Sequence, residues 1–243
     1  MQTDTLKQPL ETKAQRRRIV WKTPMKVIAI GAPITIALSL LCIFCIDLPL
    51  SLWIHKHALD TYPWMLNLLS TPIVISPAAA IYVLVYVIRR HTGDPGRNEH
   101  IAFIVSTTLL VSLQIKEMLK IAFGRTWPRH VVNPGTVPTG PGCAPSSLGY
   151  VNDGIHAFHA FGGSGKAFQA FPSGSTIALL AVAVPLMVLY PRVRPVLLIF
   201  TLVSLVAFIL TNTHFLGDVV AGTYVGLVAG MTAVALVRER LDY

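Results

Sequence analysis

Charged residues are scarce in this sequence. Only 13% of its 243 residues are charged, whereas 53% are hydrophobic and the mean hydropathy is +0.61. So few polar side chains could not cover the surface of a water-soluble globule of this size. The composition therefore excludes an ordinary soluble domain and indicates an integral membrane protein.

Cysteines, acidic clusters and repeats are also missing. Three cysteines give no disulfide framework, and Cys42 and Cys45 lie in an apolar run, where such a pair is more often two small apolar side chains than a metal or redox site. No acidic cluster on the predicted outer face could hold a metal ion, and we expect no cofactor. The net charge of +9 comes with little interleaving of basic and aromatic residues, which argues against nucleic-acid binding. No internal period indicates a repeat array.

What the sequence does contain is long apolar runs, and a run of about 20 residues can cross a bilayer. They predict an all-α fold, a bundle of six transmembrane helices in one domain. The six runs are Val27 to Ile46, Trp64 to Ile88, Ile101 to Phe123, Pro172 to Tyr190, Pro195 to Thr211 and Phe215 to Val237.

Basic residues concentrate at alternate ends of these runs. They precede the first run and follow the second, fourth and sixth, as in Arg16-Arg17-Arg18, Arg89-Arg90, Arg192 and Arg238. The positive-inside rule then places both termini in the cytoplasm. We expect residues 1–26 to form a cytoplasmic basic tail and residues 27–243 a single transmembrane domain. Loop 124–171, rich in Gly, Pro and Ser, would lie outside as a lid or a wall of a site.

A histidine and a carboxylate stand four residues apart at the start of the last run. In a helix, His214 and Asp218 would share one face, and ionisable groups at the edge of a membrane span are costly enough to indicate a site. A histidine that only sits at the bilayer interface is the alternative. Gly222, Gly226 and Gly230 follow at four-residue spacing and predict close approach of a neighbouring helix.

Two further clusters of residues favour the binding of an anion. Lys116 and Lys120 share a helix face and precede Arg125, although a lysine at a span end also commonly snorkels to the interface, above all Lys116. The segment Phe171-Pro172-Ser173-Gly174-Ser175 opens the fourth run with proline and small residues, so its backbone N–H groups could accept an anion.

These three clusters resemble the motifs of the type-2 phosphatidic acid phosphatases, relatives of the vanadium haloperoxidases and bacterial acid phosphatases. The first motif corresponds to Lys120 through Pro128, with Trp127 where a second arginine is usual. The second corresponds to the Pro-Ser-Gly helix start and the third to His214 with Asp218. The resemblance covers about the last three fifths of the chain, and the Phe-Gly-Arg-Thr-Trp-Pro form is similar to a bacterial branch.

The resemblance implies a membrane lipid phosphatase in which His214 is the nucleophile and forms a phosphohistidine while Asp218 holds the ring tautomer. Phosphate would be bound by Lys120, Arg125 and the amides of Ser173 and Gly174. The implied place is the bacterial inner membrane, with the site facing outward. Candidate substrates are phosphatidic acid, phosphatidylglycerol phosphate, undecaprenyl diphosphate and lipid A phosphates; the sequence does not identify a protein partner.

Two positions depart from the family pattern. Ser175 stands where a second histidine normally protonates the leaving group, and Phe208 stands where an arginine normally binds phosphate. Loss of the acid would cost a monoesterase about 10² to 10⁴ in rate.

Three hypotheses accommodate the departures. A lipid diphosphate would supply a leaving group that barely needs a proton. A loop histidine, His159 or else His156 or His130, would replace the acid. Alternatively, the protein would be a weak or inactive pseudophosphatase that binds phosphorylated lipids. We favour the two enzyme hypotheses over the pseudophosphatase, because binding alone does not require the pairing of His214 with Asp218.

Overall fold

The computed structural model describes residues 13–57, 59, 75–128, 158–161 and 168–240. These residues form six helical rods. The first rod is continuous and consists of α1 (Lys13–Leu41), a π-helical turn (Cys42–Ile46) and α2 (Asp47–Lys56). The other five are α3 (Ser76–Arg90), α4 (Arg97–Phe123), α5 (Gly174–Leu189), α6 (Arg194–Leu210) and α7 (Leu216–Arg240).

Hydropathy explains these rods, and the predicted all-α, six-helix class is confirmed. Among the described residues, four helices are long and apolar enough to cross a membrane: Arg17–Lys56, Arg97–Phe123, Pro191–Leu210 and Leu216–Arg240. Helix α5 is equally apolar but shorter, at 16 residues. The second predicted run, 64–88, is described only from residue 75, where α3 covers its latter part.

The first rod differs most from its prediction. It begins at Lys13 rather than Val27 and continues past Ile46 to Lys56, so residues 13–26 of the predicted tail are helical. This extension has polar partners at its start: Arg17 pairs with Glu239, and the indole of Trp21 donates to the same carboxylate at 2.9 Å. The helix therefore begins before the apolar run does, because the Glu239 side chain of α7 stabilises its first turns.

Helix α7 lies at the centre of the bundle and packs most extensively against α5, and also against α1 and α4. The glycine stripe faces α5, as predicted. A Cβ built at Gly222 would lie 2.7 Å from the Ser173 carbonyl oxygen, and Cβ atoms at Gly226 and Gly230 would lie 2.7 Å from the Cβ atoms of Leu180 and Val184. Only glycine permits this approach, which holds the start of α5 against α7.

The helix directions separate the bundle into two ends. At the end that we call the basic end, Arg17 contacts Glu239, Arg89 contacts Glu99, and Tyr190 donates to Asn98. At the other end, which we call the His214 end, α4 terminates, α5 and α7 begin, and α2 continues the first rod. The helix ends rich in arginine thus lie opposite His214.

Candidate active site

His214 lies in the turn between α6 and α7 and is 3% exposed. Its Nδ1 atom lies 3.0 Å from the carbonyl oxygen of Ala170. Since a carbonyl only accepts, Nδ1 carries the hydrogen and Nε2 keeps the lone pair that a nucleophile needs. Asp218 Oδ2 lies 3.6 Å from the same Nδ1 atom, so the predicted role of Asp218 in holding the tautomer is shared with the closer Ala170 carbonyl.

The ring of His214 is kept neutral by its surroundings. It stands in the turn between two spanning helices, and burial lowers its pKa below the usual 6.5, although the neighbouring Asp218 opposes this shift. A lowered pKa means that the ring is unprotonated at neutral pH. His214 therefore has both the tautomer and the charge state of a nucleophile.

Lys120 and Trp127 bound the space beside this ring. The Trp127 and His214 ring centroids are 5.0 Å apart, and Lys120 Nζ lies 5.3 Å from the Trp127 ring. Gly124 makes this possible, because it ends α4 in the left-handed conformation with φ 57° and turns the chain back. The position of a second arginine in the family pattern is thus filled by an aromatic face that touches both His214 and Lys120.

Arg125 occupies a different place from the one predicted. It is 0% exposed, and its Nη1 and Nη2 atoms donate to Asp218 Oδ1 at 2.6 Å and to Asp47 Oδ2 at 2.7 Å. A buried guanidinium needs such partners, since an unpaired charge would be very costly. The prediction that Arg125 grips phosphate must be corrected, because both ends of its guanidinium are taken by carboxylates.

Some of the polar groups at the start of α5 also already have hydrogen-bond partners within the protein. Ser173 is the N-cap, its Oγ accepts from the Thr176 amide at 3.3 Å, and its own amide donates to the Asp218 carbonyl at 3.0 Å. The predicted Ser173 amide is therefore occupied, and Pro172 precedes the cap instead of opening the first turn. Gly174 and Ser175 are the first helical residues, and the first amides of a helix lack partners within it.

Lys116 packs against this helix start. A Cβ at Gly174 would clash with Lys116 Cδ, so a larger residue would displace the lysine side chain. The Nζ of Lys116 pairs with Glu117, and the residue is 8% exposed. Its charge is thus balanced locally, whereas Lys120 points its ammonium toward Trp127.

The two departures from the family pattern have different surroundings. Phe208 is 0% exposed and packs with Leu179 and Val219, so the usual arginine position has become part of the apolar core. Its carbonyl still accepts from the His214 amide at 3.2 Å. Ser175 is 7% exposed in the first turn of α5.

Parts of the predicted outer loop fold back on the end of α4. The His159 amide donates to the Gly124 carbonyl at 2.9 Å, and its ring packs on Phe168 with centroids 4.9 Å apart. Arg125 forms isolated bridges with Phe158 and Gln169. The other candidate acids, His130 and His156, and Cys143 lie outside the described residues.

Sequence reasoning missed two contributors, Asp47 and Ala170. Ala170 acts through its carbonyl, for which a sequence carries no signal. Asp47 did have one: it is a carboxylate inside an apolar stretch, which by default indicates function. The predicted first span ends one residue earlier, at Ile46, and so excludes Asp47.

A family model, the PAP2 superfamily, matches residues 101–242, more than half of the chain. The chain belongs to the PAP2 superfamily. Its members are phosphatases, and their fold is a helical membrane fold, so this chain is a membrane protein with the architecture of a phosphate-ester hydrolase. The matched region includes Lys120, Ser173, His214 and Asp218, whereas Asp47 precedes it. No curated protein and no solved structure shows significant similarity to the chain.

Proposed function

We propose that this PAP2 protein is a lipid phosphatase that hydrolyses a lipid phosphate or diphosphate through a phosphohistidine intermediate. The observation that carries the proposal is the orientation of His214. Its Nδ1–H is held by the Ala170 carbonyl, which leaves Nε2 as the nucleophilic atom, and Trp127 and Lys120 lie on the same side of the bundle end. An interfacial histidine without a role would not require this neutral, oriented ring.

Nε2 of His214 attacks phosphorus, and the bond from phosphorus to the leaving oxygen breaks. The ring then carries a positive charge, which the Asp218 carboxylate, 3.6 Å from Nδ1, stabilises. Water attacks the phosphohistidine in the second step, releases inorganic phosphate and restores the neutral ring. Lys120 and the amides of Gly174 and Ser175 stabilise the charge on the phosphoryl oxygens.

A lipid substrate is supported by an apolar cavity next to this site. The cavity has a volume of about 730 Å³ and lies among α1, α4 and α7. Its lining includes Phe123 and the pair Phe171 and Pro172, which adjoin the site residues Gly124 and Ser173 in the chain. Its size falls within the range of small-molecule sites, and a hydrocarbon chain suits its apolar walls.

The presence of Ser175 in place of a histidine indicates which kind of leaving group the site favours. A hydroxyl does not donate a proton as an imidazolium does near neutral pH, so an alkoxide would leave slowly. A lipid diphosphate releases a phosphate monoester, which is stable as an anion. We therefore favour lipid diphosphates over phosphatidic acid as substrates, with His159 as the residue to test for an alternative acid.

The orientation of the bundle completes the proposal. Its basic end carries arginines at the ends of α1, α3, α4, α6 and α7, and the positive-inside rule assigns that end to the cytoplasm. His214 then faces the outside, which in a bacterial inner membrane is the periplasm. Both termini are cytoplasmic in this arrangement.

Phosphate release in detergent micelles tests the function. The purified protein should release phosphate from a prenyl diphosphate, and His214→Ala should lower kcat by at least about 10³-fold. A variant at the basic end, Arg17→Gln, is the matched control and should keep wild-type turnover. An acid-labile phosphoryl group on His214, detected by mass spectrometry after rapid quenching, would identify the intermediate. Equal rates for phosphatidic acid and prenyl diphosphate would contradict the preferred substrate class.

A second candidate, a phosphorylated-lipid-binding pseudophosphatase, is favoured by one observation. Where the family pattern has two arginines, this chain has Trp127 and Phe208, and Arg125 is committed to carboxylates. Ser175→His separates the candidates. A steep gain from near-zero turnover favours the pseudophosphatase, whereas a small change means that the wild-type reaction does not use an acid at this position.

A further inference from the structure

Asp47 connects the first rod to the turn that carries His214. It is 1% exposed and follows the π-helical turn Cys42–Ile46 directly. Its Oδ1 accepts the Gly217 amide at 2.9 Å, and its Oδ2 accepts Arg125 Nη2 at 2.7 Å. The carboxylate therefore holds the first turn of α7 and one side of Arg125 at the same time.

The other side of Arg125 continues the connection. Its Nη1 donates to Asp218 Oδ1 at 2.6 Å, and Asp218 Oδ2 accepts the Phe215 amide at 2.9 Å. Both carboxylates thus bind amides at the start of α7, where the helix dipole favours negative charge. The residue directly before Phe215 is His214, so these bonds fix the backbone on which the imidazole stands.

Ser51 makes a second connection one turn farther along α2. Its Oγ donates to Asn212 Oδ1 at 2.8 Å, and Asn212 Nδ2 donates back to the Ser51 carbonyl at 3.1 Å. Asp47 and Ser51 are four residues apart and so share a face of α2. This face, Asp47 with Ser51, holds the catalytic turn on both sides of His214, through Asn212 before it and Gly217 after it.

The π-helical turn favours this arrangement. One extra residue in a turn rotates the side chains that follow by about 100° relative to those before. The same rod can then present one face to α7 along α1 and another to the catalytic turn along α2. Such turns often occur at functional sites.

The need to neutralise the charge of Arg125 does not by itself explain why a second carboxylate, Asp47, is present. Asp218 alone would balance the single positive charge, so the second carboxylate leaves the cluster of Asp47, Arg125 and Asp218 with one net negative charge. That excess matches the charge that the His214 ring gains when it is phosphorylated. A side chain at residue 217 would disturb the cluster, since a Cβ there would lie 2.9 Å from Asp47 Oδ2.

We propose that Asp47 is a positioning residue for His214: it fixes the start of α7 and Arg125 so that the imidazole is held, and charge-balanced, for attack on phosphorus. Asp47 does not touch the substrate. The inference rests on the proposed phosphohistidine reaction and adds to it a residue from outside the region that the PAP2 model matches.

Asp47→Asn tests the inference, because the amide keeps an oxygen for Gly217 but loses the charge. We expect kcat to fall about 10- to 100-fold while KM stays within about threefold, since misplacing a reacting group affects the chemical step more than binding. Binding of two probes gives a readout without turnover. Vanadate, which can bond to Nε2 as a transition-state analogue, should bind more weakly by a similar factor, whereas phosphate should bind within about threefold of wild type.

Glu239→Gln is the matched control, because it makes the same chemical change in an ion pair at the basic end and should alter neither kcat nor vanadate binding. If Asp47→Asn does not fold in micelles, Ser51→Ala carries the test, with the same loss of vanadate relative to phosphate binding. A folded variant with kcat and vanadate binding within about twofold of wild type would overturn the inference.

Failure of the proposed function gives a different pattern. A wild-type protein that releases no phosphate from any lipid would refute the reaction. If its preference for vanadate over phosphate still falls in Asp47→Asn, the positioning of His214 by Asp47 stands; if that preference is unchanged, the positioning inference fails as well.

Discussion

At the basic end, the side chains of the pair Arg17 and Glu239 are 68% and 32% exposed, and those of Arg89 and Glu99 are 64% and 30% exposed. At the His214 end, Arg125 bridges Asp47 and Asp218, and all three side chains are 0% exposed. Water screens the first kind of pair, so it contributes little to stability. The second kind cannot lose a member without leaving a charge in an apolar surrounding. The same kind of ion pair is therefore a weak surface contact at one end and holds the candidate site together at the other.

The largest effect should come from removing the central cation of the buried cluster. Arg125→Met leaves two carboxylates buried and unpaired, and we expect the free energy of unfolding to fall by about 3–5 kcal/mol. Arg17→Met, at the basic end, should change it by less than about 1 kcal/mol. Unfolding in mixed micelles followed by circular dichroism measures both. Equal losses would erase the difference between the two ends.

Two glycines provide a steric version of the same comparison. A Cβ at Gly217 would lie 2.9 Å from Asp47 Oδ2 and 3.3 Å from Cys42 Cβ, whereas a Cβ at Gly93, in the connection near Arg89, meets nothing within 4 Å. Gly217→Ala should cost about 1–3 kcal/mol and lower turnover, because overpacking displaces the cluster. Gly93→Ala should stay within about 0.5 kcal/mol of wild type. The comparison fails if the thermal midpoints of the two variants agree.

Burial at the His214 end should also be visible in the pH dependence of catalysis. Attack requires a neutral ring, and burial lowers the pKa of His214 below 6.5, so protonation sets in only at a lower pH. A histidine with an unshifted pKa near 6.5 would be about nine-tenths protonated at pH 5.5 and would lose about tenfold in rate. We expect kcat/KM at pH 5.5 to fall by less than this tenfold, because the lowered pKa moves the acidic limb below pH 6.5. An acidic limb centred at or above pH 6.5 would contradict this prediction.

The smallest effect belongs to the exposed pair itself. Glu239→Gln removes the partner of Arg17 and one acceptor of the Trp21 indole. We expect a loss of less than about 1 kcal/mol, which should shrink further in high salt, because exposed charges are screened. Thermal unfolding at low and high ionic strength measures this loss. A larger and salt-independent loss would mean that the first turns of α1 carry more of the stability than their exposure indicates.

Most of the fold could be predicted from the sequence, because a membrane-spanning helix requires a long run of apolar residues that is visible in the sequence. Helices α4, α6 and α7 begin and end within a few residues of the predicted runs. The first rod could not be bounded in this way. Its outer turns are stabilised by polar contacts of Arg17 and Trp21 at one end and of Asp47 and Ser51 at the other. The groups that these four residues contact lie on α7 and on the turn before it.

The sequence predicted which residues belong to the candidate site better than it predicted how they are arranged. Spacing of four residues brought His214 and Asp218 together, and the close contact of α5 with the glycine stripe brought Ser173 to the same end. Spacing did not tell which cation faces the ring. Lys120 and Arg125 were equivalent candidates, yet only Lys120 lies over Trp127, because the guanidinium of Arg125 is held by two carboxylates.

By itself, the sequence determined that the chain forms apolar helices, that basic residues gather at alternate helix ends, and that a histidine and a carboxylate stand four residues apart at the start of the last helix. These are local properties, set by hydropathy and by a period of 3.6 residues. Only the tertiary structure decided that Arg125 bonds to Asp47, 78 residues away, and to Asp218, 93 residues away, and that Ala170 orients His214. Such pairings depend on which helix faces pack together, because a buried charge takes whatever partner the packed bundle brings within reach.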